Sequence, residues 1–282
     1  MIAIGERLNG TFLDVRQAIA DKDAARIVDL ATKQAAAGAA YLDLNVGTAA
    51  ADQAAAMQWL VETVQKAVAI PLSLDSQKPA VIQAGLSVCD TARGVILNST
   101  PLGKKSDPEI LDKYAAMALK HNGSVIALTM DATGVPQDVD RRVEIAAQLL
   151  TRSAELGLPL ERVFIDPIIL PVNVPGAQQQ PANILAAIDQ IRLMSDPPPH
   201  ITMGVSNLSQ GTTERSLINR AFLAMAISHG CDSAIIDVLD DALVDLVATA
   251  EMLMTKQIYS DSFLKAYRHM TTARYAFRKL SE

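Results

Sequence analysis

The stretch that decides the fold is Pro71-Leu72-Ser73-Leu74-Asp75-Ser76, a short apolar run that stops on a carboxylate. Five other runs share its form: Ile2-Ala3-Ile4-Gly5-Glu6-Arg7-Leu8-Asn9, Tyr41-Leu42-Asp43-Leu44-Asn45, Val95-Ile96-Leu97-Asn98-Ser99-Thr100, Val163-Phe164-Ile165-Asp166-Pro167 and Ile201-Thr202-Met203-Gly204-Val205-Ser206-Asn207. One such ending is chance. Six, with helical patterns between them, describe a ring of acids and amides around a barrel mouth. Two further runs, 124–130 and 233–238, are almost continuously apolar, as parallel strands covered on both faces are.

Helical patterns fill the intervals at 15–37, 52–67, 79–87, 108–121, 141–155, 182–194, 214–229 and 240–255. Ile27, Leu30, Ala31 and Gln34 form one i, i+3, i+4, i+7 stripe, and Ala221, Ala224, Met225 and Ser228 form another. Glycines at 38, 123, 157 and 230 follow the helices, and Pro79 and Pro108 begin two of them. The alternation predicts an α/β chain folded as a single (β/α)8 TIM barrel over residues 1–255, with a C-terminal helical extension over 256–282. Residues 172–180, rich in proline and glutamine, read as a loop over the mouth.

At 282 residues, half of them hydrophobic, the chain suits one such barrel. A net charge of −6 argues against nucleic acid as a partner. Two cysteines without disulfide or metal spacing fit a reducing cytoplasm, and the first residues carry no signal-peptide pattern. No run approaches the ~20 apolar residues of a membrane span.

In such a barrel the chemistry lies at the C-terminal ends of the strands. That excludes the usual catalysts here. His121 and His229 end helices, His200 opens a strand at the stabilising face, and His269 lies in the tail. Cys89 and Cys231 fall on the same lower face, and Lys78 sits in a loop. A zinc site, a Ser/His triad and a Schiff-base lysine all lack their residues, so no metal is expected on this chain. The ring remains. Asp or Asn at a strand end often only caps a helix or closes a turn. That reading suits Glu6 and Asp43, whose neighbours Arg7 and Asn45 can complete an internal network. It suits Asp75, Asn98, Asp166 and Asn207 less well. Carboxylates and amides without a base suit a flat heterocycle with a row of N–H donors, such as a 2-amino-4-oxopteridine.

These same runs resemble the pterin-binding barrel family, and within it the methyltetrahydrofolate:corrinoid/iron–sulfur protein methyltransferases. The likeness extends to Leu128-Thr129-Met130, Asp166-Pro167-Ile168-Ile169-Leu170-Pro171, the run from Leu217 to Met225, and Tyr259-Ser260-Asp261-Ser262-Phe263. It implies that Asp75, Asn98 and Asp166 hold the pterin and that Asn207 bonds near N5, favouring its protonated state. Glu6, Asp43, Ser206, Gln210 and Arg215 are supporting candidates. The implied reaction moves the N5-methyl group of methyltetrahydrofolate to the cob(I)amide of a partner corrinoid protein. The cobalamin therefore belongs to the partner, and tetrahydrofolate is the product. The reverse transfer, in a glycine betaine or O-demethylation system, needs the same barrel. Dihydropteroate synthase fits less well, because it needs basic residues on the late strands, which end here in Ser206-Asn207 and Asp237. A folate-binding protein without turnover is a further alternative. The resemblance also implies a homodimer, to which the aromatic residues of 256–282 would contribute.

Overall fold

Strand side chains alternate between two environments, and this alternation builds the molecule. In the computed structural model, which describes residues 1–254, Leu42, Leu44, Leu72, Leu74, Val95 and Leu97 belong to the large core shared with the helices. A separate small core, Ile4, Ile96, Ile126 and Phe164, fills the lower barrel interior. The period of two then leaves Asp43, Asn45, Ser73, Asp75 and Asn98 on the interior face above it.

The strands are β1 (Ile2–Asn9), β2 (Tyr41–Asn45), β3 (Leu72–Asp75), β4 (Val95–Pro101), β5 (Ser124–Leu128), β6 (Val163–Asp166), β7 (His200–Ile201) and β8 (Ser233–Ile236). All paired neighbours are parallel, in the order β7-β6-β5-β4-β3-β2-β1-β8. The ring closes where Ile235 N donates to Met203 O at 2.9 Å. At the bottom the His200 ring stacks on Phe164 (centroids 4.6 Å apart) and bonds Asp232 at 2.8 Å. These contacts place the His200 ring at the lower end of the barrel.

The helices are α1 (Leu13–Asp21), α2 (Ala24–Ala36), α3 (Gln53–Ala67), α4 (Pro79–Leu86), α5 (Ile110–Lys120), α6 (Val139–Glu155), α7 (Gln180–Ile191), α8 (Arg215–Ser228) and α9 (Asp241–Leu253). Four expectations change. The helix expected over 15–37 is two: Lys22 turns left-handed (φ 55°), and the Asp23 side chain caps α2 by accepting from Arg26 N. The strand expected to reach Asn207 stops at Ile201, and Val205–Asn207 is a 3-10 turn. Pro108 precedes α5 rather than opening it. α8 buries a different face from the stripe expected at Ala221, Ala224, Met225 and Ser228. Phe222, Leu223, Ala226 and Ile227 are buried, whereas Ala221 and Met225 are exposed. Alanine and methionine pattern either face, so the larger aliphatic and aromatic side chains decided it. The extension expected over 256–282 lies outside the described residues.

The stripe of α2 is confirmed, including Gln34, which is fully buried. Its Oε1 accepts from Arg7 N at 3.0 Å. Gln34→Leu strands that donor, and the expected loss is about 1–3 kcal/mol in urea unfolding. An unchanged midpoint would show that the bond contributes nothing.

Candidate active site at the barrel mouth

Two carboxylate–amide pairs line the upper interior of β2, β3 and β4. Strand register puts Asp43 opposite Ser73, Asn45 opposite Asp75, and Asp75 opposite Asn98. Asp43 Oδ1 accepts from Ser73 Oγ at 2.7 Å and from Asn98 Nδ2 at 3.0 Å. Asp75 Oδ2 accepts from Asn45 Nδ2 at 2.6 Å, and Asn45 Oδ1 accepts from Gly47 N. Asp43 therefore sits in an internal network, as expected, but Ser73 and Asn98 complete it. Asn45 serves Asp75 instead. Arg7 likewise does not serve Glu6: it pairs with Asp14 and lies 4.0 Å over the Phe12 ring.

A cavity of about 380 Å³ opens above these pairs, large enough for a small heterocycle. Asp43 and Asp75 form one wall, and Glu6, Ser206, Asn207, Gln210 and Arg215 line the rest together with Asn9, Thr11 and Phe12. Seven of the nine sequence candidates thus meet in one space. Asn98 and Asp166 are not among the described residues lining it. The Asn98 amide instead donates to Asp43. Asp166 lies on β6, where its Oδ1 accepts from Ile168 N at 2.8 Å. That bond secures an unusual backbone, because Ile168 is β-branched and has φ 57°. A second cavity shares Glu6, Phe12, Ser206 and Arg215 with the first, and a third shares Asp75.

Arg142 went unremarked in the sequence. It is fully buried on α6 and donates to Pro167 O at 2.8 Å, Pro136 O at 2.8 Å and Gln180 Oε1 at 2.6 Å, fixing the loop that follows Asp166. The signal was its place on the apolar stripe with Ile145, Ala146 and Leu149, where arginine is rare unless its donors are used.

The carboxyls share one electrostatic condition. Burial raises Glu6 and Asp166 to about 7 each and Asp43 to about 6. Burial and the adjacent Asp43 charge raise Asp75 as well. Free carboxyls titrate near ~4, so between about pH 4 and 7 the folded chain holds protons that the unfolded chain has lost. Stability of the ligand-free protein is therefore expected to fall as pH rises from about 4 to about 7, reading urea midpoints across that range. A midpoint that climbs through this window would contradict the buried-acid arrangement.

Among the described residues no group of three or more His, Cys, Asp or Glu has the geometry to hold a metal ion. No helix there is long and apolar enough to cross a membrane.

Fold and site together define a parallel (β/α)8 barrel whose mouth is a ring of acids and amides. The chain belongs to the pterin binding enzyme family, whose model matches residues 5–237. It is 32% identical over 271 residues to the methylcorrinoid:tetrahydrofolate methyltransferase of Eubacterium limosum, across 95% of this chain and 96% of that one. It is 30% identical over 243 residues to the methionine synthase of Mycobacterium tuberculosis, across 84% of this chain but 20% of that larger protein. In fold it is similar to the dihydropteroate synthase of Xanthomonas albilineans solved with 7,8-dihydropteroate (TM-score 0.61, 17% identity, 92% of this chain and 93% of that one). At that identity the likeness concerns the fold alone.

Proposed function

We propose that this protein is a methyltransferase that moves a methyl group between N5 of tetrahydrofolate and a corrinoid carried by a separate protein. The observation that carries the reading is the one cavity in which Asp75, backed by Asn45, faces the turn bearing Asn207. The near full-length likeness to the methylcorrinoid:tetrahydrofolate methyltransferase of Eubacterium limosum supports the choice of reaction, and the activity of that enzyme supports transfer toward tetrahydrofolate. That is the direction of a glycine betaine or O-demethylation system.

In this reading Asp75 accepts N–H groups of the pterin's amino and amide edge from the cavity wall. Asp166 and Asn98, which do not line the cavity of the ligand-free protein, take up the same edge once the ring seats toward β4 and β6. The carboxylates act when ionised, because only then do they accept two N–H bonds at once. Asn207 presents an amide that both donates and accepts near N5. It favours the protonated amine, the form in which N5 parts from a methyl group. Glu6, Asp43, Ser206, Gln210 and Arg215 support the walls. The corrinoid, when its carrier is docked, supplies the cobalt that gives or takes the methyl group. The barrel leaves the mouth open for that approach and fixes the ring on which it occurs.

The deciding experiment mixes purified protein with methyltetrahydrofolate and free cob(I)alamin and follows methylcobalamin absorbance. Accumulation that depends on the protein supports the enzyme. Folate binding without turnover supports the folate-binding alternative. We also propose that the protein is cytoplasmic and forms a homodimer through its last third, so light scattering should give twice the chain mass of 30.1 kDa. A monomer mass at micromolar concentration would refute the dimer.

A further inference from the structure

β1 does not run straight into the mouth. Gly5 pairs with Leu42 and Leu8 with Leu44, so Glu6 and Arg7 together stand opposite Asp43 alone. Such a bulge re-aims a side chain and leaves a backbone donor to be satisfied. The buried Gln34 satisfies it by accepting from Arg7 N at 3.0 Å. A Cβ at Gly5 would lie 2.5 Å from Gln34 Oε1 and push that oxygen from its place. The device turns Glu6 into the cavity, where its Oε1 accepts from Ser206 Oγ at 2.7 Å.

Ser206 precedes Asn207 in the 3-10 turn that replaces the end of β7. This turn lacks a sheet ladder of its own beyond Gly204; the buried Val205 and Leu208 and the bond from Val172 N to Leu208 O hold its base, and side-chain contacts hold it at Ser206. Glu6 holds the Ser206 hydroxyl, and Arg215 Nη2 donates to Ser206 O at 3.2 Å. We propose that Glu6 is a positioning residue for Asn207, joining the bulge of β1 to the turn through Ser206. The inference rests on the reading of Asn207 given above. It assigns Glu6 no contact with substrate; its effect passes through the turn.

The test measures methyl transfer from methyltetrahydrofolate to cob(I)alamin for single and paired variants. Glu6→Ala is expected to lower kcat by about tenfold and to leave the folate KM within about threefold. Ser206→Ala breaks the same bond from its other end and is expected to reproduce that loss. Glu6→Gln retains an oxygen that accepts from Ser206 and is expected to recover most of the rate lost in Glu6→Ala. In an Asn207→Ala background, Glu6→Ala should cost less than about twofold more, since the residue it positions is gone. Losses that multiply, a rise in KM without loss of kcat, or no recovery by glutamine would overturn the role. If Glu6→Ala fails to fold, Glu6→Gln and Ser206→Ala still decide it, the latter alone and in the Asn207→Ala background. A wild-type protein that transfers no methyl group overturns the assigned reaction and this role with it. An active wild type with multiplying losses overturns this role alone.

Discussion

Asp75→Ala and Asp166→Ala are each expected to weaken methyltetrahydrofolate binding by about 1.5–3 kcal/mol, the scale of one lost hydrogen bond to a charged group. For Asp166 the alanine also frees Ile168 N, so the loop after β6 changes with the charge. Asp166→Asn separates the two effects, because its amide oxygen still accepts from Ile168 N. The asparagine variant should keep the wild-type thermal midpoint and lose affinity. The wild-type affinity itself should rise with pH up to about 7, where Asp166 ionises, and level off above. The sign follows from the ligand: N–H donors pair with the carboxylate, so binding below that pH must expel a proton. Calorimetry in buffers of different ionisation enthalpy reads the proton directly. Unchanged affinity in both alanine variants would sink the assignment.

Asn207→Ala is expected to cut methyl transfer by roughly tenfold or more, at least ~1.4 kcal/mol, with a smaller change in folate affinity. The split follows if the amide favours protonated N5, which matters more in the transition state than in the bound ground state. The competing account makes Asn207 a turn residue. Its turn is closed by Asn207 N donating to Gly204 O and by Gln210 N donating to Asn207 O, both backbone bonds that alanine keeps. The midpoint should therefore hold while turnover falls. A lowered midpoint with normal turnover per folded molecule would decide for the turn.

The barrel was legible because its signals are local. Apolar runs ending on polar residues, helical stripes and Gly or Pro punctuation are each written within about a dozen residues. The candidate ring was legible for the same reason, since strand ends alone place side chains at the mouth. The partners within the ring were not. Asn45 is two residues from Asp43 but bonds Asp75, thirty residues away, because both reach the same level only after β2 and β3 pair. The face buried by α8 was misread because its stripe of Ala221 and Met225 is apolar but contacts water.

The sequence by itself determined the order of the eight strands and which residues stand at the C-terminal ends of β2, β3 and β6, since both depend on periodicity. Only the tertiary structure decided what those residues do to one another. Strand register set Asp43 against Ser73 and Asn98, a bulge turned Glu6 toward Ser206, and the ended β7 left Asn207 on a turn. The raised carboxyls also belong to it, because desolvation comes from closing the barrel around them, and no single segment carries that information.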